Sequence, residues 1–166
     1  KAFNSPDYDY IITLCASCAS HLKHAYPRIL KDHLEVSADM QQFTQRVIDF
    51  SSFVRDVLKV SEDDFKKSPE GVCYHAPCHL CRGMGITKQP RELIDAAASY
   101  KPAEEEDVCC GFGGSYSVKF PEVASQMLDK KLGNMEASGA STLVTDCPGC
   151  VIQLRGGEEK RGKKLK

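Results

Sequence analysis

The sequence predicts an α/β protein, a parallel sheet with flanking helices and cysteine-bearing loops at the C-terminal ends of the strands. Three observations predict it. Short β-branched runs alternate with amphipathic helical patterns along the chain. Cysteines gather just after those runs, where open α/β sheets collect their ligands. The third is an internal repeat: Ile12-Thr-Leu-Cys-Ala-Ser-Cys18 and Val144-Thr-Asp-Cys-Pro-Gly-Cys150 share three identities in seven positions. Each copy reads as a strand, a CxxC and a helix.

Tyr10-Ile-Ile-Thr-Leu14 is the first strand, running into Cys15 and Cys18. A helix is expected from Ala19 to Leu30, with Leu22, Tyr26, Ile29 and Leu30 on one face and Pro27 disturbing its middle. Phe43, Val47, Phe50, Val54 and Leu58 recur at helical spacing, so a second amphipathic helix is expected over Asp39 to Leu58. Gly71-Val-Cys-Tyr-His75 is a strand before Cys78, and Asp107-Val108 a short one before Cys109. Between them Pro90 starts a helix over Arg91 to Ala98. Pro121 to Ala137 opens with proline and Glu122 and is stopped by Gly139, as a helix should be. Thr142-Leu-Val-Thr145 is the last strand. The tail from Gly156 to Lys166 is charged and glycine-broken, with no packed element expected.

With 166 residues there is chain enough for one core. A mean hydropathy of -0.35 and the lack of a long apolar run exclude a membrane span. The 22 basic residues are matched by 23 acidic ones, which leaves no electrostatic footprint for nucleic acid. Nine cysteines in this length fall below the roughly 8–10% of short disulfide scaffolds. Their odd number leaves one unpaired in any all-disulfide scheme. Adjacent Cys109 and Cys110 cannot easily bridge each other. Grouped thiols in a chain of otherwise cytosolic composition read first as metal or cluster ligands. The chain opens on Lys1, so the lack of a signal peptide carries little weight.

Cys78, then Cys109-Cys110-Gly111, then Cys147-x-x-Cys150 resembles the CCG cysteine-rich domain family, in which these three elements are widely spaced. His75-Ala-Pro-Cys-His79 and Cys109-Cys-Gly-Phe-Gly-Gly-Ser-Tyr-Ser-Val-Lys-Phe120 strengthen the likeness, which covers residues from about 8 to 166. Within the family the chain looks closest to the iron–sulfur subunits of lactate and glycolate oxidation systems. It is similar, more distantly, to the cysteine-rich subunit of heterodisulfide reductase. The resemblance implies a 4Fe–4S-type cluster, non-cubane in some members, on Cys78, Cys109, Cys110, Cys147 and Cys150. It also implies tandem domains. Residues 1–60 would be the tail of a first repeat closed by Cys15 and Cys18, 61–70 a linker, and 71–166 a second, C-terminally truncated domain. The chain would then start inside its first repeat.

The physical chemistry is compatible. Thiolates are the usual ligands of iron–sulfur clusters, and Gly111, Gly113 and Gly114 let backbone pass close to a bulky group. The glycine loop lacks a following Gly-Lys-Ser/Thr, so it is no nucleotide loop. The implied task is to relay electrons from a flavin-dependent 2-hydroxy-acid dehydrogenase toward the quinone pool or another carrier. Implied partners are that dehydrogenase subunit and other iron–sulfur subunits, in the cytoplasm, with membrane association through partners. With no acid–base pair and no dinucleotide fingerprint, the chain reads as a subunit rather than a self-sufficient enzyme.

Other readings stay open. Zinc is satisfied by four thiolates, which gives a structural module without redox function. Cys147 and Cys150 alone make a redox dithiol, and a five-thiolate cluster suits disulfide substrate chemistry. Cys15 and Cys18 are expected to be free thiols or an adventitious disulfide, Cys73 a core residue, and Cys81 a ligand or substitute for Cys78 only as a minor alternative. His75 and His79 are expected to hydrogen-bond the cysteine loop, with ligation as the alternative. His21 and His24 are read as solvated, Lys119 as either a counter-charge or a surface lysine, and Glu104–Asp107 as a solvated run.

Overall fold

A computed structural model describes residues 7–162. Val72, Cys73 and Tyr74 are buried in succession, as expected of a central parallel strand covered on both faces. They belong to β3 (Gly71–Tyr74), which pairs in parallel with β4 (Ser99–Tyr100) on one side and β5 (Thr142–Val144) on the other. Val72 faces Tyr100 and Thr142 in register, and Tyr74 faces Val144. A separate parallel pair joins β1 (Ile11–Thr13) to β2 (Val47–Asp49). The expected α/β class is what the chain adopts. The loops after β1, β3, β4 and β5 carry the clustered cysteines.

Helices fill the connections. The chain leaves β1 through α1 (Ala16–Ser20), a π-helical turn (His21–Ala25) and α2 (Tyr26–Ile29). The wider turn directly precedes the first turn of α2, where Pro27 sits at a position that needs no N–H donor. After α3 (Leu34–Arg46) the expected continuous helix to Leu58 is interrupted. Val47-Ile-Asp49 goes extended as β2, where β-branched side chains pair with Ile11–Thr13. Asp49 then accepts a hydrogen bond from Ser52 N at 3.0 Å and restarts helix as α4 (Phe50–Ser52). A one-sided apolar pattern at helical spacing is satisfied by two helices with a strand between them.

Two further expectations are corrected. Asp107-Val108 is not a strand, because the chain turns at Glu104–Asp107 with Glu105 at φ +53. The strand lies earlier, at Ser99–Tyr100. Nor is the charged run simply solvated: Glu106 is 8% exposed. Its carboxylate accepts from Tyr100 OH at 2.7 Å, from Arg91 Nε at 3.1 Å and from Ala103 N at 3.3 Å.

Between these strands lie α5 (Cys78–Cys81), α6 (Lys88–Ala97), α7 (Ser115–Lys119) and α8 (Pro121–Ala137), and α9 (Pro148–Lys160) follows β5. The tail therefore does pack, up to Gly162 at least, since residues 163–166 lie outside the described ones. Gly157 is buried, where a Cβ would stand 2.6 Å from Leu132 Cδ1, so this glycine lets α9 close on α8. Arg161 anchors the end, donating to Glu136 Oε1 at 3.1 Å and to Asp129 O at 2.7 Å. The core joins Leu80, Leu128, Leu132, Met135 and Leu154 to Cys73, Cys110, Cys147 and Cys150. Three of the clustered thiols, Cys110, Cys147 and Cys150, are thus part of the apolar core, while Cys78 and Cys109 are half-buried.

Candidate metal centre

Three loops converge above β3 and β5. The first leaves β3 through His75, whose N–H bonds Val144 O at 2.9 Å, and Ala76, whose N–H bonds Glu106 O at 3.0 Å. Pro77 then caps α5 in an extended conformation, and Cys78 opens the helix. The second is Cys109-Cys110-Gly111. Gly111 has φ +83, and a Cβ there would stand 2.6 Å from Ala124 O, so only glycine lets this loop lie against α8. The third carries Cys147 at the N-cap of α9, with Pro148 at the first helical position and Cys150 in the first turn. Phe112 joins the last two loops: a Cβ on Gly149 would fall 2.7 Å from its ring.

The result is a line of five sulfur atoms. Each thiol acts on the next: Cys78 on Cys109, Cys109 on Cys110, Cys110 on Cys150, and Cys150 on Cys147. All five cysteines named from the sequence therefore form one connected series, within which Cys110 and Cys150, together with His75, make the one mutually close group, within 4.8 Å, among the described residues. Along the line the thiols differentiate. The neighbouring Cys110 and Cys78 thiols, with Gly111 N at 3.4 Å, lower Cys109 far below its usual range. Cys147 is lowered to about 5, chiefly by the Cys150 thiol and also by backbone N–H groups and Ser17. Cys78 is pushed up chiefly by Cys109, Cys150 by Cys110 and then Cys147, and Cys110 rises to about 11 chiefly through Cys109. Close thiols of this kind give up their protons when a cation takes the protons' place.

Behind the line sit two residues with a different chemistry. His75 is 1% exposed, and neither ring nitrogen has a hydrogen-bond partner among the described residues. A ring nitrogen and the sulfurs of Cys110 and Cys150 all lie within 4.8 Å of one another. Burial first, and the Lys131 ammonium second, keep the ring neutral by lowering it to about 4. Lys131, on α8, is 2% exposed and donates to Glu105 O. Burial lowers it too, against the pull of Asp107 and Cys110. An orphaned imidazole, five converging sulfurs and glycine-lined loops fit a thiophilic metal group. Hard oxygen-loving cations are a poor match for this donor set.

The other residues singled out from the sequence fall elsewhere. Cys73 is fully buried within β3, as a core thiol, and burial raises it. Cys81 turns to Ala76 O at 4.0 Å. Cys15 Sγ lies 3.2 Å from Ser17 Oγ, and Cys18 is exposed. Among the described residues no cysteine is in a disulfide. His79 Nδ1 lies 3.8 Å from Cys78 Sγ, so of the two histidines expected to bond the loop only His79 reaches a partner there. His21 and His24 are not buried, and the former stands edge-on to Tyr26. Lys119 is exposed, and the buried cation near Cys110 is Lys131, which the sequence pattern does not single out. Its signal is faint: a second lysine in Asp129-Lys-Lys131, on the apolar side of a helix.

The CCG cysteine-rich domain matches residues 72–155, which spans all three cysteine loops. Among curated proteins, lactate utilization protein A of Bacillus thuringiensis (strain Al Hakam) and of Bacillus cereus (strain AH187) are each 35% identical over 164 residues. Lactate utilization protein A 2 of Bacillus anthracis (strain CDC 684 / NRRL 3495) is equally similar. In each case the match covers 96% of this chain and 67% of the relative. With its three cysteine loops converging on one point, this chain belongs to the CCG cysteine-rich domain family.

Proposed function

We propose that the chain is an iron–sulfur electron-transfer subunit, with Cys78, Cys109, Cys110, Cys147 and Cys150 holding a 4Fe–4S-type cluster, non-cubane if all five ligate. The observation that carries this is the connected series of five cysteines drawn from three separate loops, with Cys110 and Cys150 beside His75 within 4.8 Å. Zinc needs only four thiolates, and a redox dithiol needs two. When bound, the cluster supplies one-electron storage at a potential set by its surroundings. The protein's own contribution is to deprotonate and converge the thiols, to wall them with Leu80, Phe112 and Leu154, and to keep Lys131 as a buried positive charge nearby.

In the same reading residues 1–60 close a first repeat, 61–70 join it on, and 71–166 form the cluster domain. The relatives' name, lactate utilization protein A, supports lactate or a similar 2-hydroxy acid as the electron source, through a flavin-dependent dehydrogenase subunit. Other iron–sulfur subunits and the quinone pool follow as partners. Among the described residues no helix is long and apolar enough to cross a membrane, so contact with a membrane quinone would run through partners. The setting proposed is the cytoplasm.

The test is iron, sulfide and zinc content, with visible and paramagnetic resonance spectra, on protein purified without oxygen. About four irons with matching sulfide are expected per cluster site. Lactate with a flavin-dependent lactate dehydrogenase should then reduce the cluster. About one zinc and no iron would leave a structural module and end the electron-transfer reading.

A further inference from the structure

The geometry points to His75 as a positioning residue for the cluster, donating its ring N–H into the sulfur shell formed by Cys110 and Cys150. This rests on the cluster reading above. A neutral imidazole carries one N–H donor and one acceptor, and at 1% exposure neither is offered to bulk water. Neither nitrogen has a partner among the described residues, and a buried donor left without an acceptor is destabilising. The backbone around the ring is committed elsewhere: His75 N to Val144 O, and Ala76 N to Glu106 O. What the ring does face is sulfur, with Cys110 and Cys150 in the same 4.8 Å group. Lys131 stands near the ring as a cation and offers no acceptor.

Five thiolates already supply a full donor set, so the ring is placed to hydrogen-bond sulfur rather than to replace it. A hydrogen bond to cluster sulfur stabilises the electron-rich, reduced state and raises the potential. His75 would therefore set how readily this site accepts an electron. It leaves β3 immediately before the loop that carries Cys78, so the strand itself fixes its position.

The experiment compares the wild-type chain with His75→Gln, which keeps an N–H donor, and His75→Leu, which has none, each prepared without oxygen. Iron and sulfide per chain, circular dichroism and the cluster midpoint potential are measured. The expected result is unchanged iron and sulfide in both variants, a lower potential in His75→Leu, and recovery of part of that drop in His75→Gln. Nitrogen-15 labelling of histidine should add a weak hyperfine coupling to the paramagnetic spectrum of the wild type that both variants lose, while any coupling from His79, 3.8 Å from Cys78 Sγ, stays in all three. An unchanged potential in a folded, fully loaded His75→Leu overturns the inference. So does loss of iron from both folded variants, or a strong directly bonded nitrogen coupling, because His75 would then be a ligand. Should His75→Leu fail to fold, His75→Gln and the labelled wild type decide. A wild-type chain that takes up no iron and sulfide refutes the cluster reading itself, before any variant is made.

Discussion

The two strand–CxxC–helix units have almost the same backbone and very different surroundings. Cys15 stands at φ -136, ψ 107 before α1, and Cys147 at φ -140, ψ 113 before α9. In both, the first cysteine's carbonyl takes a helical hydrogen bond at 3.0 Å, from Ala19 N and from Val151 N. Both follow strands in parallel pairs. Yet Cys147 and Cys150 are buried, while Cys15 is half-buried and Cys18 exposed. A strand-to-helix turn fixes where the two sulfurs point. What they can bind depends on the loops brought over them, here the one with Cys110 and Phe112. Against the first unit it is α5 that packs, on α1, and it leaves Cys18 exposed.

The largest way to break the comparison is to remove the covering loop's thiols. Cys109→Ser with Cys110→Ser should take iron from about four per chain to near zero under anaerobic reconstitution. Cys147 and Cys150 would remain, left as short of partner ligands as the first unit. If iron stayed above half of the wild-type value, the second unit would hold metal without its cover, and the contrast would be false.

Next in size is the loop's seat on α8. Gly111→Ala meets both a left-handed φ of +83 and a Cβ 2.6 Å from Ala124 O, so a loss of about 3 kcal/mol is expected in denaturant melts. Gly85 is the control, with φ +70 and nothing within 4 Å of a Cβ. Gly85→Ala should cost about 1 kcal/mol, the conformational part alone. Equal losses at the two sites would show that contact with α8 adds nothing. A smaller effect is expected at Glu106, which ties the loop to Tyr100 and Arg91. Glu106→Gln keeps the shape and removes the charge, for about 2 kcal/mol, since bonds to a charged group are the stronger kind.

These elements differ in how far the sequence reveals them. The three cysteine loops are legible because Gly111, Pro148 and the CxxC spacing leave a short menu of turns. The α/β class is legible from Val72–Tyr74 and Thr142–Val144. Three departures share a cause. Helical periodicity through Val47–Asp49 is overridden by pairing with Ile11–Thr13, a contact between distant segments that a local pattern cannot register. Glu106 sits in what looks like a solvated run because its partners, Tyr100 and Arg91, reach it only once β4 and α6 are placed. Lys131 and the orphaned nitrogens of His75 become visible only when α8 and β3 close on the same point. In each case the residue type is plain in the sequence and its partner in three dimensions is not.

The smallest expected effect tests the other unit directly. Cys15→Ser with Cys18→Ser should leave iron, sulfide and potential unchanged, because Cys18 takes Cys15 as its partner and feels Cys147 only as a charge, the least of its influences. The two units do touch. Ala16 N donates to Asp146 O at 2.9 Å, and Ser51 Oγ and Tyr74 OH reach the Asp146 carboxylate at 3.0 and 2.6 Å. Ser17 hydrogen-bonds Cys147, which ties the first CxxC to the second more directly than the Cys18 thiol, which meets Cys147 only as a charge. A structural role for the contact predicts that Ser17→Ala loosens Cys147 while the double cysteine variant does nothing to metal content. Iron lost in Cys15→Ser with Cys18→Ser, and retained in Ser17→Ala, would reverse the assignment and make the first unit a second source of ligands.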